Sequence, residues 1–95
     1  MSDNSNPTIL RWERQKTALL SELALAEEVT FRIPGWQPVG LSEALRWMQA
    51  SIFEGFYVES RVASVGRTAT VWVKIWENGE REPSWESIME PKGSD

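Results

Sequence analysis

The residues best equipped for chemistry lie in a run rich in valine, threonine and tryptophan, where Trp72, Lys74 and Trp76 alternate with Ala69, Val71, Val73 and Ile75. Side chains alternate along a strand, so the two indoles and the ammonium share one face and the aliphatic set takes the other. Flat rings flanking a cation make a platform on which the bases of a single strand can stack. The same residues also suit cross-strand packing beneath a C-terminal segment. A second group sits in residues 41–54, where Leu41, Ala44, Leu45, Met48 and Ile52 recur at helical spacing and form a buried stripe. Glu43, Arg46, Trp47, Ala50 and Glu54 then point away from the core, with Gln49 on the flank beside Arg46. A tryptophan on such a polar side has the character of a protein contact, because Trp is enriched at interface hot spots. Trp36, Trp47, Trp72 and Trp76 form the candidate partner-binding set on that basis.

Reaction chemistry is harder to assemble. The chain has no His and no Cys, which removes imidazole bases, thiolate nucleophiles, disulfides and the usual zinc ligands. No glycine-rich phosphate loop precedes a lysine, no Ser-Lys pair has the familiar three-residue spacing, and Glu27, Glu28 and the C-terminal carboxylates lack metal-ligand spacing. The expectation is a protein with no catalytic residue, no metal and no cofactor.

At 95 residues, 41% apolar and 25% charged, the chain has the proportions of one globular domain. Its net charge of −4 argues at first against nucleic acid, whose phosphates repel an acidic protein. Position alters that inference, because residues 1–40 carry −1, residues 41–76 carry +1 and residues 77–95 carry −4. The acidity thus belongs to a C-terminal tail interrupted by Gly79, Pro83, Pro91 and Gly93. The longest apolar runs, such as residues 23–26, fall far short of the ~20 residues that cross a bilayer, so no membrane span and a cytoplasmic location are expected.

The elements that must position these groups follow from periodicity. Ile9, Trp12, Leu19, Leu23 and Ala26 predict a helix over residues 8–28 capped by Thr8, and residues 1–7 are expected to be a flexible terminus. Val29, Phe31 and Ile33 alternate as a short half-buried strand over residues 29–33. Pro34, Gly35, Pro38 and Gly40 interrupt regular structure before the helix over residues 41–54, and Gly55 supplies its exit. Residues 56–64 and 68–76 predict an antiparallel hairpin around Val65, Gly66 and Arg67. In the tail, residues 84–89 can form a short helix capped by Ser84, whose Trp85, Ile88 and Met89 fold back on the domain or serve as a partner motif.

In order, Leu19-Leu20-Ser21-Glu22-Leu23, Glu28-Val29-Thr30, Gly40-Leu41-Ser42-Glu43-Ala44-Leu45, Glu54-Gly55-Phe56-Tyr57-Val58-Glu59, Gly66-Arg67 and Val71-Trp72-Val73 resemble a winged helix-turn-helix DNA-binding domain over residues 17–76. The resemblance implies an α+β, winged-helix-like fold in which two main helices, a short strand and a β-hairpin wing form a small antiparallel sheet. Residues 8–76 would be that domain and residues 77–95 an acidic tail. One departure concerns the motif's second helix, which two prolines between Thr30 and Leu41 replace with a loop.

The same resemblance implies duplex DNA as partner and transcriptional regulation by site occupancy. The helix over residues 41–54 would enter the major groove, with Arg46 and Gln49 reading base edges, Trp47 stacking and Ser42 on phosphate. Arg67, Arg61 and Lys74 would hold the backbone or minor groove from the wing. So few basic contacts imply weak binding by one copy, hence a homodimer, to which the first helix would lend surface. The rival reading is a protein-protein interaction module, inhibitor or adaptor, using Trp36, Trp47, Trp72 and Trp76 and the acidic tail.

Overall fold

The computed structural model describes residues 6–89. Helix α1 (Pro7–Glu22) begins one residue before the expected start because Asn6, not Thr8, is its N-cap: the Asn6 Oδ1 accepts from the Thr8 N–H at 2.9 Å, and Pro7 occupies the first turn, where no amide donor is needed. Of the expected flexible terminus, residues 6 and 7 thus belong to the helix start, and residues 1–5 lie outside the described residues. The helix also ends six residues before the expected 28. Its cap residue Leu23 donates back to the Leu19 and Leu20 carbonyls, and Ala26 donates to Leu23, so the chain turns while keeping Leu23 buried. Leu25, inside that turn, is 92% exposed, which marks where helical spacing stops describing burial.

Strand β1 (Glu28–Arg32) follows, and the proline-containing loop returns alongside it, with paired hydrogen bonds between Phe31 and Val39 at 2.8 and 3.2 Å. Helix α2 (Leu41–Phe53) starts after an extended Gly40 and ends before Gly55, whose φ of 108° turns the chain into the hairpin. Strands β2 (Phe56–Val65) and β3 (Thr68–Glu77) pair antiparallel around a two-residue Gly66-Arg67 turn, with Gly66 at φ 63°.

The fold is α+β, and its sheet has the order β1-β3-β2. The sheet is mixed, not antiparallel as expected, because β1 runs parallel to β3 with Phe31 beside Val71. A two-residue periodicity assigns faces but carries no information about strand direction. The inner face contributes Phe31, Val58, Ala69, Val71 and Val73 to a core closed by Trp12, Leu19 and Leu23 of α1 and by Ala44, Met48 and Ile52 of α2.

The short helix α3 (Trp85–Met89) packs against β3, and Ser84 caps it by accepting from the Ser87 N–H at 3.2 Å. Glu82 and α3 therefore cover part of the outer sheet face. No helix among the described residues is long and apolar enough to cross a membrane.

Met48 is fully enclosed between the helices and the sheet. Met48→Ala is expected to lower the unfolding free energy by about 2–5 kcal/mol in urea titration. Val65→Ala, at an 82% exposed hairpin position, should stay within about 0.5 kcal/mol of the parent.

Candidate docking groove

The register of β2, β3 and β1 builds the outer face row by row: Tyr57 lies beside Trp76, Glu59 beside Lys74, and Arg61 and Arg32 on either side of Trp72. Tyr57 and Trp76 stack with ring centroids 5.5 Å apart, and the Arg11 guanidinium covers the other side of the tyrosine at 5.3 Å. Trp85 of α3 reaches down onto this row. Its ring takes the Lys74 ammonium at 4.5 Å and the Arg61 guanidinium at 4.9 Å. Lys74 also lies 5.6 Å from the Trp76 ring, and its Nζ donates to the Glu82 Oε2 at 2.7 Å.

These contacts account for the burial of a charged side chain. Lys74 is only 4% exposed, yet it keeps a carboxylate and two negative ring faces around its ammonium. Of the two readings that the alternation leaves open for Lys74, a stacking platform and packing beneath the C-terminal segment, the buried ammonium fits the second. Cations of the protein itself already occupy the faces of Trp76 and Trp85, so this row is not a vacant stacking platform.

Trp72 differs, because only the Arg32 guanidinium stacks on it, at 5.4 Å. Beyond it the β1–α2 loop carries Trp36, whose ring meets Trp47 edge-to-face at 5.6 Å and which remains 47% exposed. The loop and α3 together bound a groove of about 530 Å³ lined by Arg32, Ile33, Pro34, Gly35, Trp36, Pro38, Trp72, Ser87, Ile88 and Met89. Its walls are mainly apolar, its backbone is stiffened by two prolines, and Arg32 is the single cationic group lining it among the described residues. Among the described residues no carboxylate forms an ion pair with Arg32.

The chain matches no family model, no curated protein and no solved structure among known proteins. Its own geometry therefore carries the functional conclusion.

The expected site residues divide among several places. Ser42 and Arg46 are exposed on α2, in the helical layer. Trp47 is half-buried against Trp36 and the core. Gln49 does not point freely outward, because its Oε1 accepts from the Trp12 indole N–H at 3.0 Å. Arg61 and Lys74 lie across the sheet beside Trp85 of α3, Lys74 buried and Arg61 exposed. Arg67 projects at the hairpin tip, where it pairs with Glu27 at 2.7 Å. Of the four candidate partner-binding tryptophans, Trp36 and Trp72 line the groove, Trp47 supports Trp36, and Trp76 is sealed in the Lys74 row.

Arg32, Pro34 and Pro38 are groove residues outside the expected site set, and Ile88 and Met89, open as a fold-back or partner motif, fold back to form its other wall. The alternation of Arg32 with Phe31, and the three-four spacing of Trp85, Ile88 and Met89, were the available signals. Among the described residues no three carboxylates gather as a metal site.

The Lys74 enclosure has a measurable consequence. Glu82→Gln leaves a buried ammonium without its counter-charge and is expected to cost about 1–2 kcal/mol, since the half-exposed Glu82 is partly screened by solvent. Lys74→Met keeps the packing between the indoles without a charge to desolvate and should remain within about 1 kcal/mol of the parent in the same urea titrations.

Proposed function

We propose that this protein is a non-enzymatic interaction module that holds an extended segment of a partner protein in the groove between Trp36 and Trp72. An aliphatic or aromatic side chain of the segment would rest on the two indoles, and an acidic neighbour would be drawn to Arg32. The observation that carries this reading is the convergence of Arg32 and Trp36 at the end of β1 and its following loop, Trp72 of β3, and Ile88 and Met89 of α3, three separate stretches of sequence, on one groove. An apolar groove with a few placed polar groups is the usual form of a peptide-sized site, and tryptophan and arginine are the residues most enriched at binding hot spots.

Occupancy of duplex DNA has less support. That function needs α2 and the hairpin to act as one surface, whereas Arg46 lies on the helical side of the sheet and Lys74 is buried on the other, with the exposed Arg61 against the Trp85 ring on that same side. Arg67 already has Glu27 as counter-ion, and Gln49 already serves Trp12. Each of these internal partners would have to be given up for a phosphate or a base edge.

Selection of random peptides on the immobilised protein tests the proposal. Bound peptides are expected to share an apolar or aromatic residue beside Asp or Glu. Trp36→Ala should weaken them about tenfold or more, while Arg46→Ala and Arg67→Ala leave affinity unchanged. Fluorescence anisotropy with labelled duplex DNA should show no association at low salt. Salt-sensitive DNA binding that disappears in Arg46→Ala would overturn the proposal and restore the DNA reading.

A further inference from the structure

The two edges of the sheet are finished differently. At the β1 edge, the Phe31–Val39 hydrogen-bond pair occupies main-chain groups that would otherwise face outward. At the β2 edge a single side chain intervenes: Gln15 of α1 donates its Nε2–H to the Val58 carbonyl at 2.6 Å. That bond shows which groups of β2 face away from β3. The hairpin agrees, since Val65 and Thr68 flank a two-residue turn and must be a hydrogen-bonded pair. Val58, Ser60, Val62 and Ser64 therefore aim their N–H and C=O groups outward. Among the described residues, those of Ser60, Val62 and Ser64 meet no main-chain or side-chain partner. An uncovered edge of this kind is a template for another strand.

We infer that the partner for this edge is a second copy of the chain, joined β2 to β2 antiparallel with Ser60 opposite Ser60 on the two-fold axis. Charge selects the copy and the register. The outward-facing residues can pair only with one another, so allowed registers differ by steps of two residues in relative position. In the register centred on Ser60, Glu59 lies opposite Arg61 of the second copy and, by symmetry, Arg61 opposite its Glu59. Slipping the centre one residue either way sets Arg61 against Arg61 or Glu59 against Glu59. Opposed unlike charges stabilise a cross-strand pair and opposed like charges destabilise it.

On the inner side, Val62 of the second copy comes opposite Val58. There a groove of about 460 Å³ opens between the edge and α1, lined by Arg14, Gln15, Ala18 and Leu19 among others. The incoming Val62 N–H takes the Val58 carbonyl from Gln15. The dimer would be a continuous six-stranded sheet, since each copy brings three strands. Because β1 and β2 are opposite edges, the Trp36–Trp72 groove of each copy stays open at the far end.

Sedimentation equilibrium of the full chain tests this. A monomer–dimer equilibrium is expected. Glu59→Arg and Arg61→Glu, each placing like charges opposite at two symmetric positions, should each weaken it about tenfold or more. An equimolar mixture of the two variants should regain association as a heterodimer, and the double exchange should regain it as a homodimer. Ser60→Pro removes an outward N–H while sparing the ladder to β3, and should leave a folded monomer by circular dichroism. A wild-type chain that stays monomeric at its highest soluble concentration would overturn the inference. So would a dimer insensitive to Glu59→Arg, at an exposed residue whose side chain makes no hydrogen bond or ion pair among the described residues.

Discussion

Strand β3 runs down the middle of the sheet, and each of its faces meets a different layer. Its aliphatic side, Ala69, Val71 and Val73, is closed by α1 and α2. Its other side carries two tryptophans and a lysine, which no aliphatic layer could bury without stranding a charge. The C-terminal segment meets that requirement with one indole and one carboxylate, Trp85 above the ammonium and Glu82 at hydrogen-bond distance. The acidic tail is thereby tied to the domain at a specific position, and its helix α3 becomes one wall of the groove whose other wall is the proline-containing loop. Sealing Lys74 and shaping the groove are two results of one packing event.

That event also divides the molecule's surface. The helical layer presents Ser42 and Arg46, the outer sheet face buries Lys74 and sets the exposed Arg61 against Trp85, and the tip holds Arg67 with Glu27. Basic groups that look grouped along the chain are dispersed in space, and most have a ring or carboxylate of the protein beside them. The edges differ in a complementary way. The loop carrying Trp36 covers the β1 edge at Phe31 by pairing it with Val39, whereas among the described residues β2 has only Gln15 across one carbonyl. With the proposed peptide groove at one end and the proposed strand edge at the other, one small sheet would have room for two partners without competition.

Much of the architecture could be read from residue spacing. The start of α2, the Gly55 exit, both hairpin strands and the Ser84 cap follow from local signals, each of which acts within a few residues. The end of α1 was not legible, because Leu23 and Ala26 keep helical spacing while being buried from a turn, and no glycine or proline marks the stop. The parallel pairing of β1 depends on where the loop after Arg32 returns, a tertiary outcome. Trp72, Lys74 and Trp76 were placed on the outer face correctly, and packing beneath the tail was among the readings open for them. What alternation could not supply was Glu82 as the counter-charge, eight residues beyond Lys74 and across a turn. Gln49 was legible as a helix flank residue but not as the acceptor for an indole 37 positions earlier.

The dependence of the groove on the Trp85–Lys74–Glu82 contact is most directly tested at the lysine itself. Proton chemical shifts of the Lys74 side chain, followed with and without Trp85→Ala, report whether the methylenes and ammonium lie against indole faces. Strong upfield displacement is expected in the parent, together with slow acylation relative to the half-exposed Lys16, and both should vanish in the variant. Ordinary solvent-exposed shifts and fast acylation of Lys74 in the parent would contradict the covered outer face and the groove built upon it.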